Sequence, residues 1–117
     1  MTGPDAIGAY DLAWRETDAD RRLALLERAW ASDGVYCDPL DHVVGRAALV
    51  KHIGAFQRSM AGGTVAVTSE PARHHDSAYF RWSITDAAGT VVLTGFDVVQ
   101  LDDEGRITRL TGFFDPA

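Results

Sequence analysis

The sequence predicts an α+β domain in which three N-terminal helices pack on a strongly curved, mostly antiparallel sheet. Apolar residues recur at helical spacing through the first half of the chain, whereas the second half reads as strands separated by turn sequences. Those strands are longer than the usual length of about five or six residues, and long strands twist and curl. Because three helices cover a curled sheet only in part, we expect a cone-shaped cavity.

Length and composition indicate one ordinary globular domain. The chain has 117 residues, of which 46% are hydrophobic and 24% charged. This length suits a single core, and this composition argues against disorder. We therefore expect one domain over residues 1–117.

Charge and cysteine content exclude several classes of partner. The net charge is −6, and the 11 Lys and Arg residues form no basic run, so nucleic acid and anionic membrane surfaces are not expected as partners. Cys37 is the only cysteine, which excludes an internal disulfide and a thiolate cluster for zinc. Without a signal-peptide pattern at the N-terminus or a long apolar stretch, we expect a soluble, cytoplasmic protein.

Two helices are predicted before residue 35. Pro4 suits the first turn of the first helix, Asp18 or Asp20 can cap the second, and Gly34 can end it. The residues that would share one face are Ile7, Tyr10 and Trp14 in the first helix and Leu23, Leu26 and Trp30 in the second.

The middle of the chain predicts a short strand, a loop and a third helix. Val35–Cys37 forms the strand, and Asp38-Pro39 ends it because proline cannot continue a sheet ladder. A loop through Gly45 leads to the helix, and Gly62-Gly63 stops it. The apolar face of this helix comprises Leu49, Ile53, Phe56 and Met60.

Four strands are predicted after residue 63. Turn sequences at 86–89 and 102–105 are typical of hairpins, so the sheet should be mostly antiparallel. The predicted strands are Thr64–Ser69, His74–Thr85, Thr90–Leu101 and Arg106–Phe114.

Asp97 interrupts the most apolar stripe in the sequence. Side chains alternate across a strand, so one face carries Val91, Leu93, Gly95, Asp97, Val99 and Leu101. A buried carboxyl group without partners raises its pKa and, once protonated, can donate a hydrogen bond to a ligand oxygen. The alternatives are a bulge that turns Asp97 outward or a structural role on backbone amides.

Asp38 is the second candidate, because a strand end that opens onto a loop is a frequent place for reactive groups. The alternative is an ordinary Asp-Pro turn.

The opposite face of the third long strand is more apolar than a solvent-exposed surface usually is. It carries Val92, Phe96 and Val98. Such a face usually packs against a copy of itself, which predicts a homodimer through the sheet.

The run from Trp30 to Pro39 (WASDGVYCDP), Gly45-Arg46 before a helix, and Gly112-Phe113-Phe114 at the end resemble the nuclear-transport-factor-2-like superfamily. The pattern is most similar to its SnoaL-like and ketosteroid-isomerase-like branch, which implies a cone-shaped, cystatin-like roll. The resemblance implies that Asp38 shuttles a proton and that Asp97 is the second, protonated aspartate. It also implies a tyrosine on the first helix, where this chain has Trp14, although Tyr10 lies one turn earlier.

The ligand-binding residues expected in addition to Asp38 and Asp97 are Tyr10, Trp14, Phe56, His74, Phe80, Trp82, Leu110 and Phe114. The alternative for His74 is an edge position, and His52 is expected in the core or at the rim. Asp38 and His42 are loop neighbours without an evident third partner, so no metal is predicted. No organic cofactor is predicted either.

The leading functional hypothesis is an isomerase, cyclase or dehydratase that transfers protons on a small apolar carbonyl compound. Asp38 would act as the base, while Asp97 with Trp14 or Tyr10 would bind the developing enolate oxygen. The alternatives are a non-catalytic module that binds a small hydrophobic ligand and a dimerisation domain.

Overall fold

The computed structural model describes residues 5–116, which form three helices and seven strands. The helices are α1 (Ala6–Ala13), α2 (Ala19–Ala29) and α3 (Arg46–Ser59). The strands are β1 (Trp30–Cys37), β2 (His42–Val44), β3 (Thr64–Val67), β4 (Ala72–His74), β5 (Ser77–Thr85), β6 (Val91–Leu101) and β7 (Ile107–Phe114).

Aspartates cap the first two helices. The side chain of Asp5 accepts the Gly8 amide at 2.9 Å, and the side chain of Asp18 accepts the Arg21 amide at 2.9 Å. These bonds satisfy amides that have no partner within a helix. Of the two predicted caps, Asp18 is therefore the one used, while Pro4 lies outside the described residues.

The predicted end of the second helix is wrong. The helix ends at Ala29 because Trp30 is already extended, with φ −125° and ψ 129°, and begins β1. Gly34 lies within that strand, where a Cβ would come within 2.5 Å of the Trp30 indole nitrogen. Glycine is needed there for close packing and does not end a helix. The predicted loop before α3 also contains a short strand, β2.

The seven strands form one mixed sheet that is mostly antiparallel, as predicted. The order is β2-β1-β7-β6-β5-β3, and β4 pairs with β5. Only β1 and β7 run parallel among the described strands, and this pairing sets Cys37 opposite Thr111. The first strand therefore ends beside the last one, which brings Asp38 to the concave face of the sheet.

The predicted strand His74–Thr85 is divided by a tight turn. His75 has a φ of 53°, and His74 pairs with Ser77 across the turn, so β4 and β5 form a hairpin. Because the chain reverses direction between His74 and Phe80, the alternation of side chains along a strand cannot show whether the two lie on the same face of the sheet.

The core lies between the helices and the concave face, where Trp30, Phe80, Leu26, Leu49, Ile53, Ile107, Leu110 and Val99 are the largest fully buried side chains. A buried arginine, Arg22, ties α2 to α3 by donating to the Val50 carbonyl at 3.0 Å and to Gln57 Oε1 at 2.7 Å. Gln57 in turn donates to the Trp14 carbonyl at 3.1 Å, which fixes the end of α1. None of the helices in residues 5–116 is long and apolar enough to span a membrane.

Candidate functional site

A cavity of about 670 Å³ lies between the helices and the concave face of the sheet. This volume is within the range of small-molecule sites. Its walls are mainly aromatic and aliphatic, and its polar side chains include four aspartates, a histidine and two tyrosines. The lining residues include Tyr10, Asp11, Trp14, Tyr36, Asp38, Asp41, His52, Phe56, Phe80, Trp82, Asp97, Gly112 and Phe114.

Asp38 and Asp97 lie on either side of Gly112 in a row across three strands. Asp97 on β6 is paired with Gly112 on β7, and the parallel β1–β7 pairing carries Asp38 to the other side of Gly112. A Cβ on Gly112 would lie 2.8 Å from Asp97 Oδ1 and 3.5 Å from Asp38 Cβ. The missing side chain is therefore what lets the two carboxyl groups share one part of the cavity.

Asp97 is a buried carboxyl group, with only 6% of its surface exposed. Its pKa is raised to about 7, mainly by burial. The hydrogen bond from Trp82 lowers this pKa, whereas the negative charge of Asp38 raises it further. The bond runs from Trp82 Nε1 to Asp97 Oδ1 at 3.0 Å. Near neutral pH, Asp97 therefore exchanges between an acid that donates a hydrogen bond and a carboxylate.

Three donors hold Asp38. The Tyr36 hydroxyl donates to Oδ2 at 2.6 Å, and the amides of Leu40 and Asp41 donate to Oδ1 at 2.9 and 2.8 Å. Burial, followed by the hydrogen bond to Asp38, raises the pKa of Tyr36 well above its ordinary value, so the phenol remains a donor. The carboxylate is therefore fixed in one orientation at the end of β1.

Sequence reasoning missed Tyr36. A signal was present, because residues two apart on a strand point to the same face and Tyr36 precedes Asp38 by two. A phenol on the face of a candidate base is a potential donor to it.

Tyr10 and Trp14 occupy the helical side of the cavity. Burial, followed by the charge of Asp97, raises the pKa of Tyr10 well above its usual value. Its ring stacks on Trp30 at 5.6 Å and meets the edge of Trp14 at 6.3 Å. The Trp14 indole N–H has no hydrogen-bond partner among the described residues. Both residues can thus offer a donor hydrogen, and neither offers a charge.

The structure brings most of the expected ligand-binding side chains together, but two lie elsewhere. Phe56, Phe80, Trp82 and Phe114 line the cavity with Tyr10 and Trp14. Leu110 is fully buried in the core and is not part of the cavity wall. His74 is exposed on β4, with its Nδ1 3.2 Å from that of His75, because the hairpin turns it away from the face of Phe80.

Val92 also departs from its predicted position. It was expected on the outer face of the sheet, yet it lines the cavity together with Leu93. The β5–β6 pairing shifts register between Ile84 and Thr85, next to this point. Such an irregularity breaks the strict alternation of faces on which the prediction relied.

His52 lies in the cavity wall and completes a polar cluster with Asp38 and Asp41. Its ring is 5.2 Å from that of Tyr36 and 6.1 Å from that of Trp14. One potential ligand atom from each of Asp38, Asp41 and His52 lies within 4.8 Å of the others, so these three could hold a metal ion. Sequence analysis considered Asp38 with His42, which is exposed on β2, and missed this cluster because its members come from a loop and a helix.

Three helices packed on a curved, mostly antiparallel sheet define a cystatin-like roll, and comparisons with known proteins show the same fold. The model of the SnoaL-like domain matches residues 6–110, and the chain belongs to this family. The expected resemblance to the nuclear-transport-factor-2-like superfamily and to its SnoaL-like and ketosteroid-isomerase-like branch is thereby confirmed.

Solved structures give the same result. A protein from Agrobacterium tumefaciens, provisionally described as an isomerase of the SnoaL-like family, is 33% identical with a TM-score of 0.88, and the match covers 95% of each chain. A provisionally described polyketide cyclase from Sinorhizobium meliloti is 26% identical with a TM-score of 0.72, covering 94% of each chain.

A protein from Catenulispora acidiphila with a ketosteroid-isomerase-like fold, solved with trimethylamine, is 18% identical with a TM-score of 0.72, covering 97% of this chain and 88% of that one. At this identity it supports the fold alone. No curated protein sequence matches the chain.

Proposed function

We propose that the protein is a cofactor-free enzyme that transfers protons on a small, largely apolar carbonyl compound. The observation that carries the proposal is the buried Asp97, with a pKa near 7, beside Asp38 across Gly112. Two carboxyl groups whose surroundings differ in this way are suited to opposite roles, one as base and one as hydrogen-bond donor. The relatives provisionally described as an isomerase and a polyketide cyclase support this class of reaction.

The first step is removal of a proton next to the carbonyl group. Asp38 accepts this proton, and its three hydrogen bonds keep it aimed into the cavity. As the carbon loses its proton, negative charge develops on the carbonyl oxygen. Protonated Asp97 donates a hydrogen bond to that oxygen, assisted by Tyr10 or Trp14, and this stabilises the enolate in an environment of low polarity.

The second step decides the product. Return of the proton from Asp38 to another carbon gives isomerisation. Attack of the enolate carbon on a second carbonyl group gives cyclisation, and the proton on Asp38 passes to the new alkoxide oxygen. Loss of a neighbouring hydroxyl group gives dehydration, and the proton on Asp38 leaves with it as water. All three share the same enolate, so the first step can be tested without knowing the substrate.

The experiment is proton exchange at the α-carbons of small cyclic ketones and β-diketones in D₂O, followed by NMR. We expect the wild type to catalyse deuterium incorporation and Asp38→Asn to lose this activity while still binding the ketone. Asp97→Asn should retain a reduced rate, because an amide N–H can replace part of the donor function. Exchange that is equally fast in wild type and Asp38→Asn would refute the role of Asp38.

The second candidate is a non-catalytic module that binds a small hydrophobic ligand. It is favoured by Trp14, because an indole can donate but cannot titrate, and its ring takes more of the cavity than the tyrosine of the related isomerases. Ligand binding by the wild type without any proton exchange on bound ketones would favour this function.

We also propose that the outer face of the sheet pairs with a second copy of the chain. Tyr79, Phe96 and Phe113 form a continuous aromatic patch there, with ring centroids 5.5 and 4.9 Å apart. Tyr79 and Phe113 are 41% and 44% exposed, which is unusual for large rings on one contiguous surface. The patch lies on the face opposite the cavity, so dimerisation is compatible with either function.

A further inference from the structure

We propose that the substrate carries a positively charged amine, a tertiary or quaternary ammonium group, which binds at the mouth of the cavity between Asp38, Asp41 and the rings of Trp14, Tyr36 and His52. This inference rests on the proposed function and narrows its substrate class to an apolar carbonyl compound with a cationic group.

The charge of the cavity wall favours a cation. Four aspartates line the cavity, whereas its walls contain no lysine or arginine from residues 5–116. Asp11 is neutralised by Arg15 at 2.7 Å. Asp38 and Asp41 have no such ion pair within the described chain, although oxygen atoms of both lie within 4.8 Å of His52. Two neighbouring carboxylates at an apolar opening therefore attract a cation.

An aromatic wall lies beside these carboxylates. Trp14 lies 6.1 Å from Tyr36, 6.1 Å from His52 and 5.5 Å from Phe56, centroid to centroid. Rings grouped in this way can present their electron-rich faces to a ligand, and alkylated ammonium groups bind aromatic cages through cation–π attraction. Carboxylates next to aromatic rings are the combination that suits an organic cation.

The hydrogen bonds of Asp38 favour an organic cation over a metal ion. The Asp38 oxygens already accept three hydrogen bonds, two on Oδ1 and one on Oδ2. A metal ion coordinated directly by Asp38 would compete with these hydrogen bonds for the lone pairs of its oxygens. The second carboxylate that could bind the ion, Asp41, is exposed to solvent. An alkylated ammonium group needs no such coordination, because it is attracted through space at van der Waals distance.

The two ends of the cavity then match the two ends of the ligand. Asp97 and Trp82 form a buried polar end for the carbonyl oxygen. Asp41 and Leu40, the latter 78% exposed, mark the open end. A ligand bound in this way would place its α-carbon near Asp38, between its two anchors.

The test compares two probes of nearly equal shape. The cationic probe is para-acetyl-N,N,N-trimethylanilinium, and the neutral probe is para-tert-butylacetophenone, in which carbon replaces the charged nitrogen. Affinity is measured by tryptophan fluorescence and by calorimetry at low salt. We expect the cation to bind about tenfold tighter or more, with the preference shrinking as salt is added.

Single substitutions show which carboxylate causes the preference for the cationic probe. Asp41→Asn should weaken the cationic probe about tenfold and leave the neutral probe within about twofold, whereas Asp103→Asn, an exposed turn residue, should change neither. Equal affinity for the two probes, or equal loss of both in Asp41→Asn, would overturn the inference. Binding of Mn²⁺ that blocks the cationic probe and is lost in Asp41→Asn would also overturn it, in favour of a metal site.

These outcomes are distinguishable from failure of the proposed function. If the neutral ketone binds in a manner that depends on Asp97 and exchanges its α-proton through Asp38, the proton-transfer function stands even when the cation preference is absent. If the cation preference is present but no ketone exchanges, the mouth of the cavity is a cation site on a non-catalytic binding protein.

Discussion

The Trp82 indole N–H on β5 donates to Asp97 Oδ1 on β6 at 3.0 Å, across adjacent antiparallel strands. Since Oδ1 accepts this bond, the proton of the neutral acid belongs on Oδ2, the oxygen left for a ligand. The same bond favours the ionised form and so opposes the effect of burial on the pKa of Asp97. Trp82 therefore both orients the acid and limits how strongly it holds its proton.

Replacing Trp82 by Phe should raise the pKa of Asp97 by about one further pH unit, because the hydrogen bond that stabilises its charged form is lost. The measurement is carbon-13 NMR titration of the carboxyl carbons. Trp14→Phe is the matched control, since its indole makes no hydrogen bond to Asp97. A lower Asp97 pKa in Trp82→Phe would contradict this account.

Asp97→Asn should stabilise the fold at pH 8 by about 2 to 4 kcal/mol. The folded pKa, about 7, exceeds the ordinary value of 3.8, so the native state binds the proton more tightly than the unfolded state. The contribution of Asp97 to the stability of the wild type is then fully present below pH 3.8 and is lost as pH rises through about 7, whereas the variant lacks this loss.

Urea unfolding of wild type and Asp97→Asn at pH 4.5 and 8 checks this prediction. The free energies of unfolding should differ little at pH 4.5 and clearly at pH 8. Asp103→Asn, on an exposed turn, should match the wild type at both. A constant difference at the two pH values would mean that Asp97 is not the titrating group.

Gly112→Ala should disturb the row of Asp38, Gly112 and Asp97. The new Cβ would lie 2.8 Å from Asp97 Oδ1, closer than an uncharged carbon and oxygen approach each other. We expect a loss of about 1 to 3 kcal/mol in unfolding free energy and an altered Asp97 pKa in NMR. An alanine variant with wild-type stability and an unchanged Asp97 titration would show that the two carboxyl groups are not held as described.

Phe113→Lys should dissociate the proposed homodimer. Phe113 stacks on Phe96 at 4.9 Å in the outer aromatic patch, and a charge there would oppose burial against a second copy. Sedimentation velocity at micromolar concentration should show a dimer for the wild type and a monomer for the variant. Leu12→Lys, at an exposed position on α1, is the control, and a monomeric wild type would contradict the proposal.

The fold class and the positions of both aspartates in the cavity were predictable from sequence for physical reasons. Asp97 interrupts a stripe in which Gly95 and Val99 are also buried, so a period-two count was sufficient to place it on the concave face. Asp38 precedes a proline that ends its strand, and the family pattern pointed to the same residue. These signals are local, within a few residues of each aspartate.

What sequence reasoning missed depends on contacts between distant segments or on local irregularities. The approach of His52 to Asp41 requires the packing of α3 against the β1–β2 loop, which no local pattern encodes. His74 is exposed because the chain reverses direction in a two-residue turn at His75. Val92 lies in the cavity wall because the strand register shifts beside it. Alternation along a strand predicts faces only while pairing remains regular.

The central claim is that Asp38 and Asp97 act as a coupled pair across Gly112. Carbon-13 NMR titration of the carboxyl groups in wild type and Asp38→Asn tests it most directly. We predict that Asp97 titrates near pH 7 in the wild type and at a lower pH in Asp38→Asn, because the negative charge of Asp38 raises its pKa. An Asp97 that titrates near pH 4, unchanged by Asp38→Asn, would contradict the account.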